Sequence, residues 1–521
     1  MAAHPGGPRI RIQTLAGLFA LTMAAVFVHG YHLGVDDAEI YLPGIKRAAD
    51  PQLFPFASEF FMSHANLSLF SNLVGGFARL SHLPVDIVIF LCHGFGIFLL
   101  MAAAWRLAGA CFNNAAARWG AVMLLAGALS TPVAGTALAI FDPYVTARTL
   151  SAPASLFAVA CYLSNQRRRM VAWLLLTAVV HPQMSFYVVV LVACLALERR
   201  VSARPGAAAC AMAIPFFWGV GPAMGPAREA LLSRTYFFLS KWAWYEVVGI
   251  FAPLALLWWF SSRPPRATSP GFQRLARTLV PFGLMFTAAG AVLSFVRPLE
   301  NFTRLQPMRS FHLIYMIFFV QLGGVLVEYV TRRSVWRWLA LFVPLACGTG
   351  LLQKASFPFS SHIEWPGSDG GNHWVAAFLW IRGHTPKDAV FGLDPNYMAS
   401  PEDDQHGFRA VAERSALADN VKDSGAVSLF PQLAVHWKSQ VLAQTGWQSF
   451  RRPDFERLAH QYPVTWIVAG KPDPPGLVCP YDNGAVAVCR IDAGADLLRT
   501  QSVGFEKKKA QSASWAGAAP R

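Results

Sequence analysis

Long apolar runs broken by short polar connections fill residues 1–352, after which the chain turns to mixed, turn-rich sequence. A helix crossing the hydrocarbon layer needs roughly 20 mostly apolar residues. That measure predicts spans at residues 12–30, 84–105, 119–141, 150–164, 207–221, 246–260, 279–296, 310–330 and 335–352. Residues 170–198 are too long for one comfortable span and carry His181-Pro182 in their middle. Proline ends or kinks a helix, so this stretch reads as two short helices meeting at that dipeptide. The total is about eleven spans. Segment 64–80 is apolar on one face and reads as a helix lying along the interface.

The arginines orient these spans. Arg9 and Arg11, Arg106 and Arg118, Arg167–Arg169, Arg199, Arg200 and Arg204, Arg263, Arg266, Arg274 and Arg277, and Arg332, Arg333 and Arg337 fall on alternate connections. Such a side is the cytoplasmic one. The reading puts the N-terminus in the cytoplasm of a bacterial inner (plasma) membrane. The long loop 31–83, the connections 142–148, 222–245 and 297–309, and everything after residue 352 then lie outside. A single tilted helix over 170–198 would invert every later segment and carry its basic clusters outward.

The external part, 353–495, has its own predicted elements. Residues 374–381 read as an amphipathic helix, 389–393 and 464–469 as buried strands, 455–460 as helix, and 478–490 as a hairpin around Asp482-Asn-Gly484. Glu402–Asp404 reads as a solvated acidic loop, and Arg414 with Asp419 as a structural ion pair. Cys479 and Cys489 flank the hairpin and are either disulfide-bonded, as an oxidising compartment allows, or two unpaired strand residues. Residues 496–521 read as a disordered tail. The predicted fold is thus an α-helical polytopic membrane protein, residues 1–352, with a C-terminal soluble α/β domain.

Composition narrows the class. Of the 521 residues, 54% are hydrophobic and 14% charged, against about a quarter charged in a soluble domain. One large soluble enzyme and a disordered chain are both excluded. Lys plus Arg (44) exceeds Asp plus Glu (29) by 15. Basic residues gathered on one side of a bilayer account for that excess, so it does not point to a nucleic-acid partner.

Candidate chemistry lies at the outer rim. Asp36 and Asp37 directly follow the first span, and neighbouring carboxylates there can hold a divalent cation (Mg or Mn) or take a proton from an attacking hydroxyl. Arg148, Arg297, Arg304 and Arg309 fall at the same level, and guanidinium forks suit a phosphate. With His181 they form the candidate substrate-binding set. The alternatives are a solvated, helix-capping acid pair and headgroup-anchoring arginines. Within the predicted spans the ionisable groups are few: Asp86, His93, His312 and Glu328. An ion-coupled transporter places polar groups near the midplane between repeats, and neither pattern is visible.

A long first outer loop opening on paired acids, short kinked middle helices, outer arginines and an external C-terminal domain together resemble the GT-C superfamily of polytopic glycosyltransferases. Its members include protein O-mannosyltransferases, the aminoarabinose transferase of lipid A and oligosaccharyltransferase catalytic subunits. Residues 374–390, a helix ending in the turn Thr385-Pro386 before a strand, are similar to the entry of the oligosaccharyltransferase soluble domain. The segments 36–43, 304–309 and 412–419 also resemble a group of bacterial multi-pass membrane proteins, a likeness that implies the fold and no particular reaction. The first resemblance implies transfer of a sugar from a polyprenyl-phosphate donor to an envelope acceptor on the outer side, with Asp36 and Asp37 as base or metal ligands. Its partners would be the lipid-linked donor and membrane lipids. A flippase for a lipid-linked intermediate and a non-catalytic scaffold of the same fold are the alternatives.

Overall fold

The computed structural model describes residues 12–203, 223–266, 268–332, 334–472 and 474–491. The expected span 207–221 and the tail 496–521 lie outside them, as do the side chains of Arg9, Arg11, Arg199, Arg200, Arg204 and Arg333. The helices of the first half are α1 (Ile12–His29), α2 (Ala38–Ala49), α3 (Glu59–Ala65), α4 (Phe70–Ser81), α5 (Val85–Cys111), α6 (Ala115–Gly127), α7 (Arg148–Leu163), α8 (Arg167–Val180) and α9 (Pro182–Ala203). They are followed by α10 (Gly225–Leu232), α11 (Trp244–Ser262), α12 (Pro270–Phe295), α13 (Phe311–Leu326) and α14 (Val335–Ser356).

Among the described residues, six helical segments are long and apolar enough to cross a membrane: α1, α5, α11, α12, α14 and Arg297–Thr331, which contains α13. The chain is a multi-pass membrane protein, and about eleven full spans is more than these segments supply. The clearest departure is the expected span 119–141. Its helix, α6, stops at Gly127, and 128–147 are not helical. Pro132 has no N–H to offer a helix, and Ala134 and Ala137 take positive φ values of 46° and 54°. The irregular chain folds on itself, Val133 N–H donating to Leu138 O at 2.8 Å, and is buried against the bundle through Leu129, Val133 and Ile140. Non-helical backbone at membrane depth is tolerated only where protein covers it. An uninterrupted run of apolar letters could not distinguish that case from a helix.

The break at His181-Pro182 is present: α8 ends at Val180, His181 leaves helical geometry (φ −149°, ψ 87°), and α9 begins at Pro182. Of the expected interfacial helix 64–80, residues 70–80 lie in α4, His64 and Ala65 end α3, and 66–69 are not helical. On α4, Phe70, Ser71, Val74 and Ala78 are buried, whereas Leu69 just before it, Leu73, Phe77 and Leu80 are exposed. One apolar face turns into the protein and the other outward, which suits a helix at a lipid surface.

The C-terminal domain carries α15 (His373–His384), α16 (Phe408–Ala412), α17 (Asp423–Leu429), α18 (Ala434–Ala443) and α19 (Arg452–Gln461) around one sheet. Its strands are β1 (Val390–Gly392), β2 (Ser415–Ala416), β3 (Trp466–Gly470), β4 (Val478–Asp482) and β5 (Val486–Arg490), in the order β2-β1-β3-β5-β4. β1 runs parallel to β2 and β3; β5 is antiparallel to β3 and β4. A disulfide joins Cys479 to Cys489 across the β4–β5 hairpin.

Two expectations for this domain fail. Asp403 and Asp404 are not solvated: both are buried, and Asp404 accepts from Phe359 N (3.0 Å) and Ser360 Oγ (2.6 Å). Arg414 does not pair with Asp419. Its guanidinium donates to Thr385 Oγ1 and to the carbonyls of Arg382 and Thr385, while Asp419 accepts from the N–H groups of Val421 and Lys422. For Arg414 and Asp419, carbonyls and N–H groups close in space outcompete the partner suggested by sequence spacing.

The domain is fastened to the loop 31–83 and the start of α5 by mostly buried charges. Lys46 contacts Asp86 (3.0 Å) and Glu413 (2.9 Å), and Arg382 contacts Asp86 (2.7 Å). Glu39 accepts the N–H groups of Arg409 (3.1 Å) and Ala410 (2.8 Å). Glu364 Oε1 accepts from His32 (2.8 Å) and His406 (2.9 Å). Gly407 lies so close to Glu39 that a Cβ there would meet its carboxylate at 2.2 Å.

Candidate active site

Asp36 and Asp37 sit where the loop 31–83 meets the C-terminal domain. Val35 pairs with His406, and Asp36 N–H donates to Gln405 O at 2.9 Å. Asp36 adopts φ 53°, a left-handed conformation that costs a non-glycine residue about 1–2 kcal/mol. Asp37 stands at the start of α2, yet its side chain makes no capping hydrogen bond. The helix-capping reading of the pair therefore fails, and both carboxylates are free to face side chains.

All four carboxylate oxygens have a donor. Asp36 Oδ2 accepts from Tyr144 OH at 2.8 Å, and Asp36 Oδ1 is in contact with Lys422 Nζ. Asp37 Oδ1 is 3.3 Å from the same ammonium, and Asp37 Oδ2 is 3.3 Å from Arg148 Nη2. Arg148 is turned mainly to Asp142, through Nε at 3.0 Å and Nη2 at 2.8 Å. Burial raises the Asp142 carboxyl above its ordinary range, and Arg148 opposes that. Burial likewise pulls the Lys422 ammonium down to about 7, against which the two carboxylates in contact with it act.

A cavity of about 1050 Å³ opens beside this cluster. Phe186, Phe286, Ala288, Ala289, Val292 and Leu293, from α9 and α12, form an apolar wall. The other end is polar: Tyr41, His64, His181, Arg304, Gln306 and Arg309. Leu429 and Phe430, at the end of α17, reach it from the C-terminal domain. Phe186 and Val292 are 42% and 50% exposed.

The polar end is arranged around gaps in hydrogen bonding. Arg309 Nε and His181 Nε2 are buried with no partner among the described residues. The Arg309 guanidinium lies 5.8 Å from the centre of the Tyr236 ring. Arg304 is held by Asn301 through its carbonyl (2.7 Å) and side-chain oxygen (2.8 Å). The segment carrying both arginines is fixed by Tyr187 OH, which donates to Gln306 O at 2.8 Å. Burial lowers His64 to about 4, helped by Arg309 and Arg148 and opposed by Asp37. Burial raises Tyr41 to about 12, with Asp37 in the same direction. Both residues therefore present neutral hydrogen-bonding groups near neutral pH. The field of Asp37 reaches both, which puts that carboxylate behind the polar wall of the cavity.

The expected residues thus divide. His181, Arg304 and Arg309 line the cavity. Asp36, Asp37 and Arg148 form an ion cluster adjoining it. Arg297 is exposed and does not line it. Sequence reasoning missed Lys422, some 385 positions away in an unremarkable turn, and also Tyr41 and His64. Asp142 and Tyr144 lay in a connection already expected at the outer level, but without a signal for their partners.

The residues present fit a divalent cation poorly. Each carboxylate oxygen of the pair already meets an ammonium, guanidinium or hydroxyl. Among the described residues no group of three or more His, Cys, Asp and Glu side chains is placed to hold a metal.

No protein-family model matches the sequence, and no curated protein matches it. Two solved structures of an oligosaccharyltransferase from Archaeoglobus fulgidus are similar to it. The apo form matches at 11% identity and a TM-score of 0.42, covering 88% of this chain and 70% of that one. AglB from the same organism, in complex with an inhibitory peptide and a dolichol-phosphate, matches at 12% identity and 0.40, over 88% and 69%.

Proposed function

We propose that the protein is a membrane glycosyltransferase of the GT-C type, using a polyprenyl-phosphate sugar as donor and acting at the outer face of a bacterial inner membrane. The observation that carries this reading is the two-ended cavity. Its apolar wall suits an isoprenoid tail entering from the bilayer. At its polar end Arg309 Nε and His181 Nε2 have no partner among the described residues, and buried polar atoms left unpaired are costly unless a ligand meets them. A phosphate is the anion whose geometry a guanidinium fork matches.

In the reaction, an acceptor O–H or N–H attacks the anomeric carbon of the donor sugar. Its proton passes to a carboxylate oxygen of Asp36 or Asp37. The bond between the anomeric carbon and the phosphate oxygen breaks, and the electron pair leaves on the lipid phosphate beside Arg309 and Arg304. Arg148 and Tyr144 orient the carboxylates. The test is transfer from a labelled polyprenyl-phosphate sugar in membranes containing the full chain. At least one of Asp36→Ala and Asp37→Ala should abolish transfer at unchanged membrane abundance; full activity in both rejects the assignment. A flippase would instead move the lipid without forming a new glycosidic bond.

A further inference from the structure

The acid pair of a site built for an ion would leave oxygens pointing into a gap. Here an ammonium stands between the two carboxylates. Lys422 Nζ contacts Asp36 Oδ1 and lies 3.3 Å from Asp37 Oδ1. We infer that Lys422 is the built-in cation of this site: a tethered ammonium takes the position a divalent ion would need, and the pair holds no such ion while Lys422 stands there. The inference deepens the transferase reading by naming what organises its carboxylates.

Three observations carry it. The first is the saturation of the pair, since a metal would have to displace Lys422, Tyr144 or Arg148 to reach any carboxylate oxygen. The second is charge. Asp36, Asp37 and Asp142 bring three negative charges to the cluster and Lys422 and Arg148 two positive ones, so removing Lys422 exposes an acid pair with one cation left. The third is rigidity. Asp419 Oδ1 accepts the N–H groups of Val421 (2.7 Å), Lys422 (2.5 Å) and Asp423 (3.2 Å). Arg234 grips the Val421 carbonyl and the Ser424 hydroxyl. A Cβ on Gly425 would stand 3.2 Å from that guanidinium. The lysine is therefore presented from a fixed turn.

The same turn opens α17, whose far end supplies Leu429 and Phe430 to the cavity wall. One short helix thus joins the cation on the carboxylates to the compartment for the tail. Lys422 is a positioning residue: it sets where the acid pair points and offsets one of its two charges without contacting the transferred group.

The test is Mn²⁺ binding to the purified full chain in nanodiscs, read by electron paramagnetic resonance, with transfer measured separately in the presence and absence of EDTA. The wild type should show no saturable Mn²⁺ site. Lys422→Ala should gain one, and the double variant Asp36→Asn with Lys422→Ala should lose it again. Lys422→Arg should leave Mn²⁺ unbound, which a purely structural role for the lysine would not require. A thermal melt confirms that each variant is folded, and the wild-type measurement stands without any variant. Saturable Mn²⁺ binding by the wild type that Asp36→Asn removes would overturn the inference, as would a folded Lys422→Ala protein that binds none. Failure of transfer from every donor would reject the transferase reading and leave the Mn²⁺ result intact.

Discussion

The carboxylate cluster and the cavity beside it have opposite economies of hydrogen bonding. In the cluster every oxygen of Asp36 and Asp37 has a donor, and the charges come from the loop 31–83, Asp142 in the 128–147 connection, Arg148 at the start of α7 and Lys422 in the C-terminal domain. In the cavity Arg309 and His181 keep buried nitrogens without a partner among the described residues. A saturated cluster is held in one geometry by its own partners. A set of polar groups left unpaired is a place for something else to bind. Charge and proximity alone would have ranked the two alike; counting partners separates them.

Substitutions can break that contrast. The largest effect is expected at Arg148→Ala, which leaves the buried Asp142 without its guanidinium, beside the partly exposed Asp37. Breaking a buried pair costs about 3–5 kcal/mol, so this variant should melt far below the wild type in a detergent-stable thermal assay. Arg309→Ala should do the reverse: little change in melting, but loss of a charge-assisted contact of about 1.5–3 kcal/mol, read as roughly 10–150-fold weaker polyprenyl-phosphate binding. His181→Ala follows in the same assay at about 1 kcal/mol, again with an unchanged melt.

The smallest expected effect is a slope with pH at the latch between His32, Glu364 and His406. His406 is raised from 6.5 to about 9, burial opposing and Glu364 with Asp403 favouring the cation. Its contribution is complete below 6.5 and is lost as pH rises through 9. Glu364 is lowered from 4.5 to about 2, the two histidines overcoming burial. Its contribution is complete above 4.5 and is lost as pH falls toward 2. The latch is therefore strongest between 4.5 and 6.5. Hydrogen exchange at Gly407, whose N–H donates to Gly34 O, should be slowest there, and His406→Ala should flatten the profile.

Much of the architecture was legible because apolar length and proline position are local signals. The break at His181-Pro182 and the hairpin at Asp482-Asn-Gly484 both followed from residues adjacent in sequence. What was not legible was partnership at long range. Residues 119–141 are apolar both as helix and as buried irregular chain, and only the covering protein decides between them. Lys422 reached Asp36 through a turn set by Asp419 and Arg234, none of which marks a site in the sequence. Asp403 and Asp404 looked solvated by residue type, yet the chain folds them inward. The arginines were found as a class, and the fold then separated Arg309 and Arg304 in the cavity from Arg148 in the cluster and Arg297 outside both.

The most direct test of the cavity as a lipid-phosphate site is competition between a polyprenyl phosphate and the matching polyprenol for the full chain in nanodiscs, using a photoreactive group on the tail. The account predicts saturable labelling by the phosphate at Phe286 or Val292, strongly reduced by Arg309→Ala, with the polyprenol binding at least roughly tenfold more weakly. Equal labelling by both lipids, unaffected by Arg309→Ala, would contradict it.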